Sequence, residues 1–255
     1  MSSKNLFNLN KKCAVVIGGN GKLGKPIVEA LNDCGATVFV LSSNISNSKK
    51  IKSGKKKIYF INMDQSKENE IKESIKKIKK IYRTPDILVN CAVIRPMKKF
   101  FKDTYLNWDK SMITNARGLF LTCKEFGEEM SKNKRGSIIN ISSIYGIVAP
   151  DQKIYSDVNF ETPPDYSYNK GGMITFSKYL ASYFSKKNIR VNTIVPGGFY
   201  NNQNKKFVRK YCNKVLLNRM AKEKDIKGPV VFLASEASSY ITGATLVVDG
   251  GFTIT

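Results

Sequence analysis

The chain has 255 residues, 42% of them hydrophobic, and a net charge of +23 from 43 basic and 20 acidic side chains. That is long enough for one large core, and without an apolar run of about 18 residues no membrane span is expected. It has no histidine, which excludes serine–histidine–aspartate chemistry, imidazole acid–base catalysis and histidine-ligated metals. The five cysteines, Cys13, Cys34, Cys91, Cys123 and Cys212, are scattered without a C-x-x-C pair. They read as neither a disulfide framework nor a zinc site, so no metal is expected. Residues 1–12 are polar and lack the apolar core of a leader, and a reducing cytoplasm fits best. The positive charge invites a nucleic-acid reading, but lysines dominate and are spread in short clusters. In 67–82 they surround an apolar stripe of Ile71, Ile75, Ile78 and Ile81, which is ordinary helix amphipathicity. No nucleic-acid partner is expected.

Taken in order, residues 13–18 form a short apolar run that predicts a buried strand. A glycine-rich turn over 18–24 follows, then a helical pattern over 25–34 with Ile27, Val28 and Leu31 apolar. Gly35 ends that helix, and 36–41 is a second strand. Strand, glycine-rich turn, helix and strand within about thirty residues is the unit that binds a dinucleotide. Glycines admit a pyrophosphate to the backbone, and the helix N-terminus attracts its charge. A plain strand-to-helix turn is the alternative. Gly18, Asn20, Gly21, Lys22, Leu23 and Gly24 are the candidate contacts, with Lys22 either a phosphate ligand or a surface residue. The second strand ends in Ser42-Ser43-Asn44, without the carboxylate that grips a ribose 2′-hydroxyl in NAD sites. Ser42 and Ser43, with Lys22, would accept a 2′-phosphate, so the balance between NAD and NADP tilts to NADP.

Residues 57–63 read as a third strand closed by Asp64, which either accepts from adenine N6 or caps a helix starting near Ser66. A fourth strand covers 86–91, a long helical region broken near Gly118 covers 106–132, and a fifth strand covers 136–143. A helix over 164–185, a sixth strand over 190–196, a helix over 221–235 with Gly228-Pro229 at its start or a kink, and a last strand over 244–248 complete the pattern. Strands alternate with helices to the end. That predicts an α/β, Rossmann-like, doubly wound parallel sheet of about seven strands with helices on both faces, as one domain over 1–255. Ligands of such sheets lie beyond the carboxyl ends of the strands, where Cys91, Ser143 and Pro196-Gly197 fall.

On the helix over 164–185, Tyr166 and Lys170 are four apart, which puts both side chains on one face. A phenol ordinarily ionises near pH 10, too high for proton transfer at neutral pH. Bringing it to about 7 takes ~4 kcal/mol of differential stabilisation, which an adjacent ammonium in a partly dry site, helped by a second positive charge, can supply. A core tyrosine beside a surface lysine is the bland alternative for the pair alone.

The turn over 18–24, Asn90-Cys91-Ala92, Asn115, Ile141-Ser142-Ser143, Tyr166-x-x-x-Lys170, Pro196-Gly197 and the ending Ile241-Thr242-Gly243 to Val248-Asp249-Gly250-Gly251 stand in order at characteristic intervals. With these motifs the chain resembles the short-chain dehydrogenase/reductase family in its branch of roughly 250 residues, nearly end to end. The resemblance implies that Tyr166 is the general acid/base and that Lys170 binds the nicotinamide ribose. It implies that Ser143 holds the substrate oxygen, that Asn115 orders a water in a proton relay, and that Asn90, Ala92, Pro196 and Gly197 lie along the cofactor. It also implies a homodimer or homotetramer with the Tyr166 helix in an interface.

The departures are Lys22 at the family's middle glycine, Cys91 and Val93 after Asn90, and extra length over 149–164. Cys91 reads as buried filler rather than a nucleophile. The long loop is expected to shape substrate access. Over 198–214, Asn201, Asn202 and Gln203 with Lys205, Lys206 and Arg209 suit a hydroxyl-rich, negatively charged substrate, or are simply solvated charge. The wording of 144–151 and 197–202 resembles a bacterial subgroup linked to surface-glycan sugar synthesis. The function expected is hydride transfer between a nicotinamide cofactor and a secondary alcohol or ketone, on a sugar, sugar phosphate or nucleotide sugar. A 3-oxoacyl-thioester or polyol reductase, or a non-enzymatic NAD(P)-binding scaffold, are the alternatives.

Overall fold

The structure, a computed structural model, describes residues 3–45, 51, 54, 56–156, 158 and 160–255. After one helical turn, α1 (Ser3–Leu6), the chain runs β1 (Cys13–Ile17), α2 (Gly24–Asp33), β2 (Thr37–Ser42), β3 (Ile58–Asn62), α3 (Glu68–Ile81) and β4 (Ile87–Asn90). It continues through α4 (Tyr105–Ser111), α5 (Gly118–Lys132), β5 (Gly136–Ile141), α6 (Pro164–Tyr183) and β6 (Ile189–Pro196) to α7 (Lys205–Cys212), α8 (Glu223–Ala234) and β7 (Thr245–Val248). The sheet is parallel throughout, in the order β3-β2-β1-β4-β5-β6-β7. This is the Rossmann-like, doubly wound sheet expected.

Both faces are covered, so strands are apolar without alternation; all five residues of β1 are buried. The pleat sorts them. Val15, Ile17, Leu88 and Ile138 pack under α3, α5 and α6 with Ile71, Phe126 and Leu180. Ala14, Val16, Val89 and Ile139 pack on the other face under α2 and α8 with Ile27, Leu31 and Val230. The winding reverses between β1 and β4, which pair with Ile17 opposite Asn90. Their following loops diverge there and open a crevice.

The break expected near Gly118 in the helical region over 106–132 is a π-helical stretch over Met112–Arg117. Two expectations need correction. Gly228 and Pro229 lie inside α8, which starts at Glu223, rather than at its beginning. Ile81 does not complete the buried stripe of α3. Ile71, Ile75 and Ile78 are buried with Ser74, while Ile81 at the last turn is half exposed.

Candidate active site

A cleft of about 990 Å³ runs over the carboxyl edge of the sheet. One end is built by the turn after β1. Gly18 has φ +75°, and a Cβ there would come within 2.7 Å of the Ala92 backbone, so the loops after β1 and β4 touch through a missing side chain. At Gly24, the first residue of α2, a Cβ would overlap the Gly18 carbonyl oxygen. Only glycine allows the helix N-terminus to sit this close behind the turn. The first turn of α2 carries no acid; Lys25 N–H donates 2.9 Å to the Gly21 carbonyl and Pro26 has no N–H, so the helix contributes chiefly its uncompensated positive end. This cradle fits a dinucleotide pyrophosphate.

Gly18, Asn20, Gly21, Lys22, Leu23, Gly24, Ser42, Ser43, Asp64 and Ala92 all line it, as do Pro196 and Gly197 at the other end. Asn20 donates to the Asn44 carbonyl, tying the turn to the end of β2. Asp64 lines the cleft, and its Oδ1 accepts from Ser66 N–H and Oγ at 2.9 and 2.8 Å; it does not cap α3, which starts at Glu68 with Lys67 at its N-cap. Lys22 donates its ammonium to the Tyr200 carbonyl, and burial pushes its pKa down.

Asn90, Asn115 and Lys170 are the candidates that do not line the cleft. Asn90 is buried below it, donating 2.8 Å to Asn140 Oδ1 and accepting 3.1 Å from Thr122 Oγ1. Asn140 in turn donates 2.8 Å to Ser177 of α6, which bonds back to the Met173 carbonyl. The physical reason is register: Asn90 is the last residue of β4 and its side chain falls on the face beneath α5 and α6. Asn115, in the π-helical stretch, is also buried. Its amide brackets Ile94, accepting from N–H and donating to C=O at 2.9 Å each, and donates 2.9 Å to Ser111 Oγ. It fixes the loop after β4.

Tyr166 and Ser143 line the cleft, and Lys170 lies buried behind Tyr166. Lys170 donates 2.7 Å to the Ile141 carbonyl at the end of β5; its Nζ is 5.7 Å from the Tyr166 ring centroid. Burial pushes its own pKa down, while the Tyr166 phenol pulls the other way. Ser143 accepts 3.2 Å from Tyr145 N–H. Four tyrosines line the cleft. Burial pushes the phenols of Tyr145, Tyr155 and Tyr211 up. Burial pushes Tyr166 up as well, but Lys170, Arg95 and hydrogen bonding with Ser143 outweigh it and hold the phenol below its ordinary value. Only this tyrosine of the four is poised to lose a proton. Cys91 lines the cleft too, but burial pushes its thiol up to about 11 against the pull of Lys170, so it stays a protonated filler.

The residues over 149–164 close the far end. Tyr155, Val158, Phe160, Thr162 and Pro163 line the cleft, and Asp157 and Asn159 lie outside the described residues. Tyr155 OH is 2.6 Å from Tyr145 OH and accepts 2.9 Å from Thr162. This segment docks on α7, where Lys210 donates 2.7 Å to Ser156 and Lys214 pairs with Asp151.

From the stretch over 198–214, Asn201, Gln203, Asn204 and Phe207 reach the cleft. The basic side chains Lys205, Lys206 and Arg209 are exposed outside it. The cation at this end is Arg95, which sequence reasoning missed. Its guanidinium carbon stands 4.3 Å from the Tyr166 ring centroid. Its position just past the carboxyl end of β4 was the one signal available.

A family model described as enoyl-(acyl carrier protein) reductase matches residues 20–253. A 3-oxoacyl-(acyl-carrier-protein) reductase of Aquifex aeolicus is 29% identical, covering 96% of this chain and 98% of the relative. The post-translational flagellin modification protein A of Campylobacter coli is 29% identical over 96% of this chain and 99% of its own length. Among solved structures, a short-chain dehydrogenase from Leptospira borgpetersenii with bound NAD+ is 35% identical, covers 99% of this chain and 97% of its own, and superposes with a TM-score of 0.90.

Proposed function

The chain belongs to the short-chain dehydrogenase/reductase family, and on that premise we propose that it is an NAD(P)-dependent oxidoreductase interconverting a secondary alcohol and a ketone on a sugar or sugar derivative. The observation that carries the reading is the single lowered phenol, Tyr166, between two cations and beside the Ser143 hydroxyl.

A nicotinamide dinucleotide held in the glycine cradle supplies the hydride partner. Toward ketone, the Tyr166 phenolate takes the substrate hydroxyl proton; toward alcohol, the neutral phenol gives it back. Ser143 holds the same oxygen and stabilises the charge that develops on it. Lys170, locked to the Ile141 carbonyl, keeps the phenol acidic. Asn115 sets the loop that carries Ile94 and Arg95. We read residues 1–255 as one functional unit, and NADP as well accommodated as NAD because Ser42 and Ser43 stand where a carboxylate would repel a 2′-phosphate.

The sugar reading is supported by the amides and hydroxyls of Asn201, Gln203, Asn204 and Thr162 at the far end of the cleft and by the likeness to the flagellin modification protein. A 3-oxoacyl thioester is the second reading, favoured by Val158, Phe160 and Phe207 in the same wall and by the reductase relatives. No helix among the described residues is long and apolar enough to cross a membrane. We also propose a homodimer or homotetramer built on α5 and α6.

The test is a panel of sugar phosphates, sugar acids, polyols and a 3-oxoacyl thioester with NAD and NADP, followed by nicotinamide absorbance. Tyr166→Phe is expected to fold and to lose about 10²–10⁴ of the turnover. Near-full turnover by that variant would remove Tyr166 from the chemistry.

A further inference from the structure

The loop after β4 places Arg95 in the cleft with its guanidinium over the face of Tyr166, 4.3 Å from the ring centroid. The residue is exposed. The arginine ion pairs among the described residues are those of Arg83, Arg135 and Arg219; Arg95 pairs with no carboxylate among them. The charged residues in the cleft lining are Lys22, Asp64 and Arg95. Lys22 and Asp64 belong to the dinucleotide end, and Glu161, the acid nearest in sequence to Thr162, is not in the lining. The reacting end therefore carries a planar cation, with neutral hydroxyls and amides around it and no anion to satisfy it among the described residues. A guanidinium is a multi-pronged donor for an oxyanion. Here it lies over the Tyr166 ring and hydrogen-bonds with that phenol, held there by the attraction of cation and ring, and its remaining N–H groups are the ones a ligand in the cleft meets.

We propose that Arg95 is a specificity-determining and positioning residue: it binds an oxyanion, carboxylate or phosphate, carried by the substrate close to the carbon that reacts, and through the Tyr166 ring it couples that charge to the proton-transfer step. The proposal rests on the reading of Tyr166 as the acid/base, and it separates the two substrate readings, because a 3-oxoacyl thioester has no oxyanion next to its ketone.

The coupling has a definite sign. Tyr166 faces Lys170 from its own helix, Arg95 from the loop after β4, Ser143 from the end of β5, and the neutral phenols of Tyr145 and Tyr155. Cys91 stands behind Lys170. Arg95 and Lys170 favour phenolate. A substrate oxyanion on Arg95 offsets part of its charge, so the phenol becomes harder to ionise once substrate is bound. For an anionic substrate the inflexion in kcat, which reports the bound enzyme, lies above that in kcat/KM, which reports the free enzyme. For a neutral substrate with the same cofactor the two inflexions coincide.

The experiment compares the wild type, Arg95→Gln and Arg95→Lys on three matched alcohols: neutral, carboxylated and phosphorylated. Compared on the pH-independent plateau, Arg95→Gln is expected to lower kcat/KM at least 30-fold on the substrate whose oxyanion it binds and at least tenfold less than that on the neutral alcohol. It is also expected to close the gap between the two inflexions and move both upward. Arg95→Lys, which keeps the charge without the planar fork, is expected to retain the inflexions and recover only part of the affinity. The carboxylated and phosphorylated arms decide which oxyanion is read. An equal loss on all three alcohols, or unmoved inflexions, overturns the proposal.

A second readout needs no turnover. The phenolate absorbance of Tyr166, taken as the difference between titrations of each protein and its Tyr166→Phe partner, is expected to titrate at higher pH in Arg95→Gln than in the wild type. If no alcohol in the panel turns over, the oxidoreductase reading fails, while this titration still decides whether Arg95 acts on the phenol.

Discussion

Tyr145, Tyr155 and Tyr211 share a cleft with Tyr166, and charge rather than position separates their chemistry. For those three burial is the largest influence and favours the uncharged phenol, Arg95 pulling only weakly on Tyr155 and Asp249 opposing ionisation of Tyr211; Tyr166 has both an ammonium and a guanidinium within reach. The pH dependence follows with opposite signs in the two directions. Alcohol oxidation needs phenolate, so its kcat/KM is expected to rise with pH and level off through an inflexion below the ordinary phenol value of about 10. Ketone reduction needs the neutral phenol and is expected to fall through the same inflexion. In Lys170→Met the inflexion is expected to move up in both directions, measured as rate against pH at saturating cofactor; an unmoved inflexion would detach Lys170 from the phenol. Ser143, Tyr166 and Lys170 were legible in the sequence because a helical spacing and a strand end fix them locally. Arg95 was not, since its meaning depends on a ring that the fold brings from 71 residues further along the chain.

The junction of β1, the turn and α2 shows how an element builds a ligand cradle by omission. Gly24→Ala forces a methyl against the Gly18 carbonyl oxygen, and backbone cannot yield as a side-chain end can. The expected outcome is a loss of about 1–3 kcal/mol in stability, typical of overpacking, by urea midpoint, with at least tenfold weaker dinucleotide binding by fluorescence titration. Gly228 in α8 is the control: it is exposed and a Cβ there meets nothing within 4 Å beyond its chain neighbours. Gly228→Ala is expected to change stability by less than about 1 kcal/mol, because the gain in helix propensity is offset by contact of the new methyl with the Pro229 ring, and to leave binding unchanged. The strand, turn and helix were legible from apolar runs and glycines. The π-helical stretch over Met112–Arg117 was not, because no local composition marks an extra residue in a turn. Its cause is tertiary: Asn115 has to reach Ile94 on the far side of the crevice.

At the scale of the molecule, the outer face of α6 carries an exposed aromatic column against the lysine-rich surface. On α6, Tyr168, Tyr179 and Tyr183 are more than 60% exposed, and Phe120 of α5 is half exposed beside them. Tyr179 stacks between Phe176 and Tyr183, at 6.3 and 6.1 Å. Solvated helices rarely carry such an aromatic column, and we expect it to be the oligomer contact. Tyr179→Glu is expected to shift the protein to monomer in light scattering and to leave its helical circular dichroism intact; an unchanged mass would move the interface elsewhere. The same helix has its opposite side on the sheet, where greasy contact alone would tolerate a slight roll about the helix axis. The bonds from Thr122 through Asn90 and Asn140 to Ser177 do not, since each has a required direction and lies out of reach of water. They act as a key in a slot. Angular precision of the phenol is thereby set two to three turns away from it, by groups that touch no ligand.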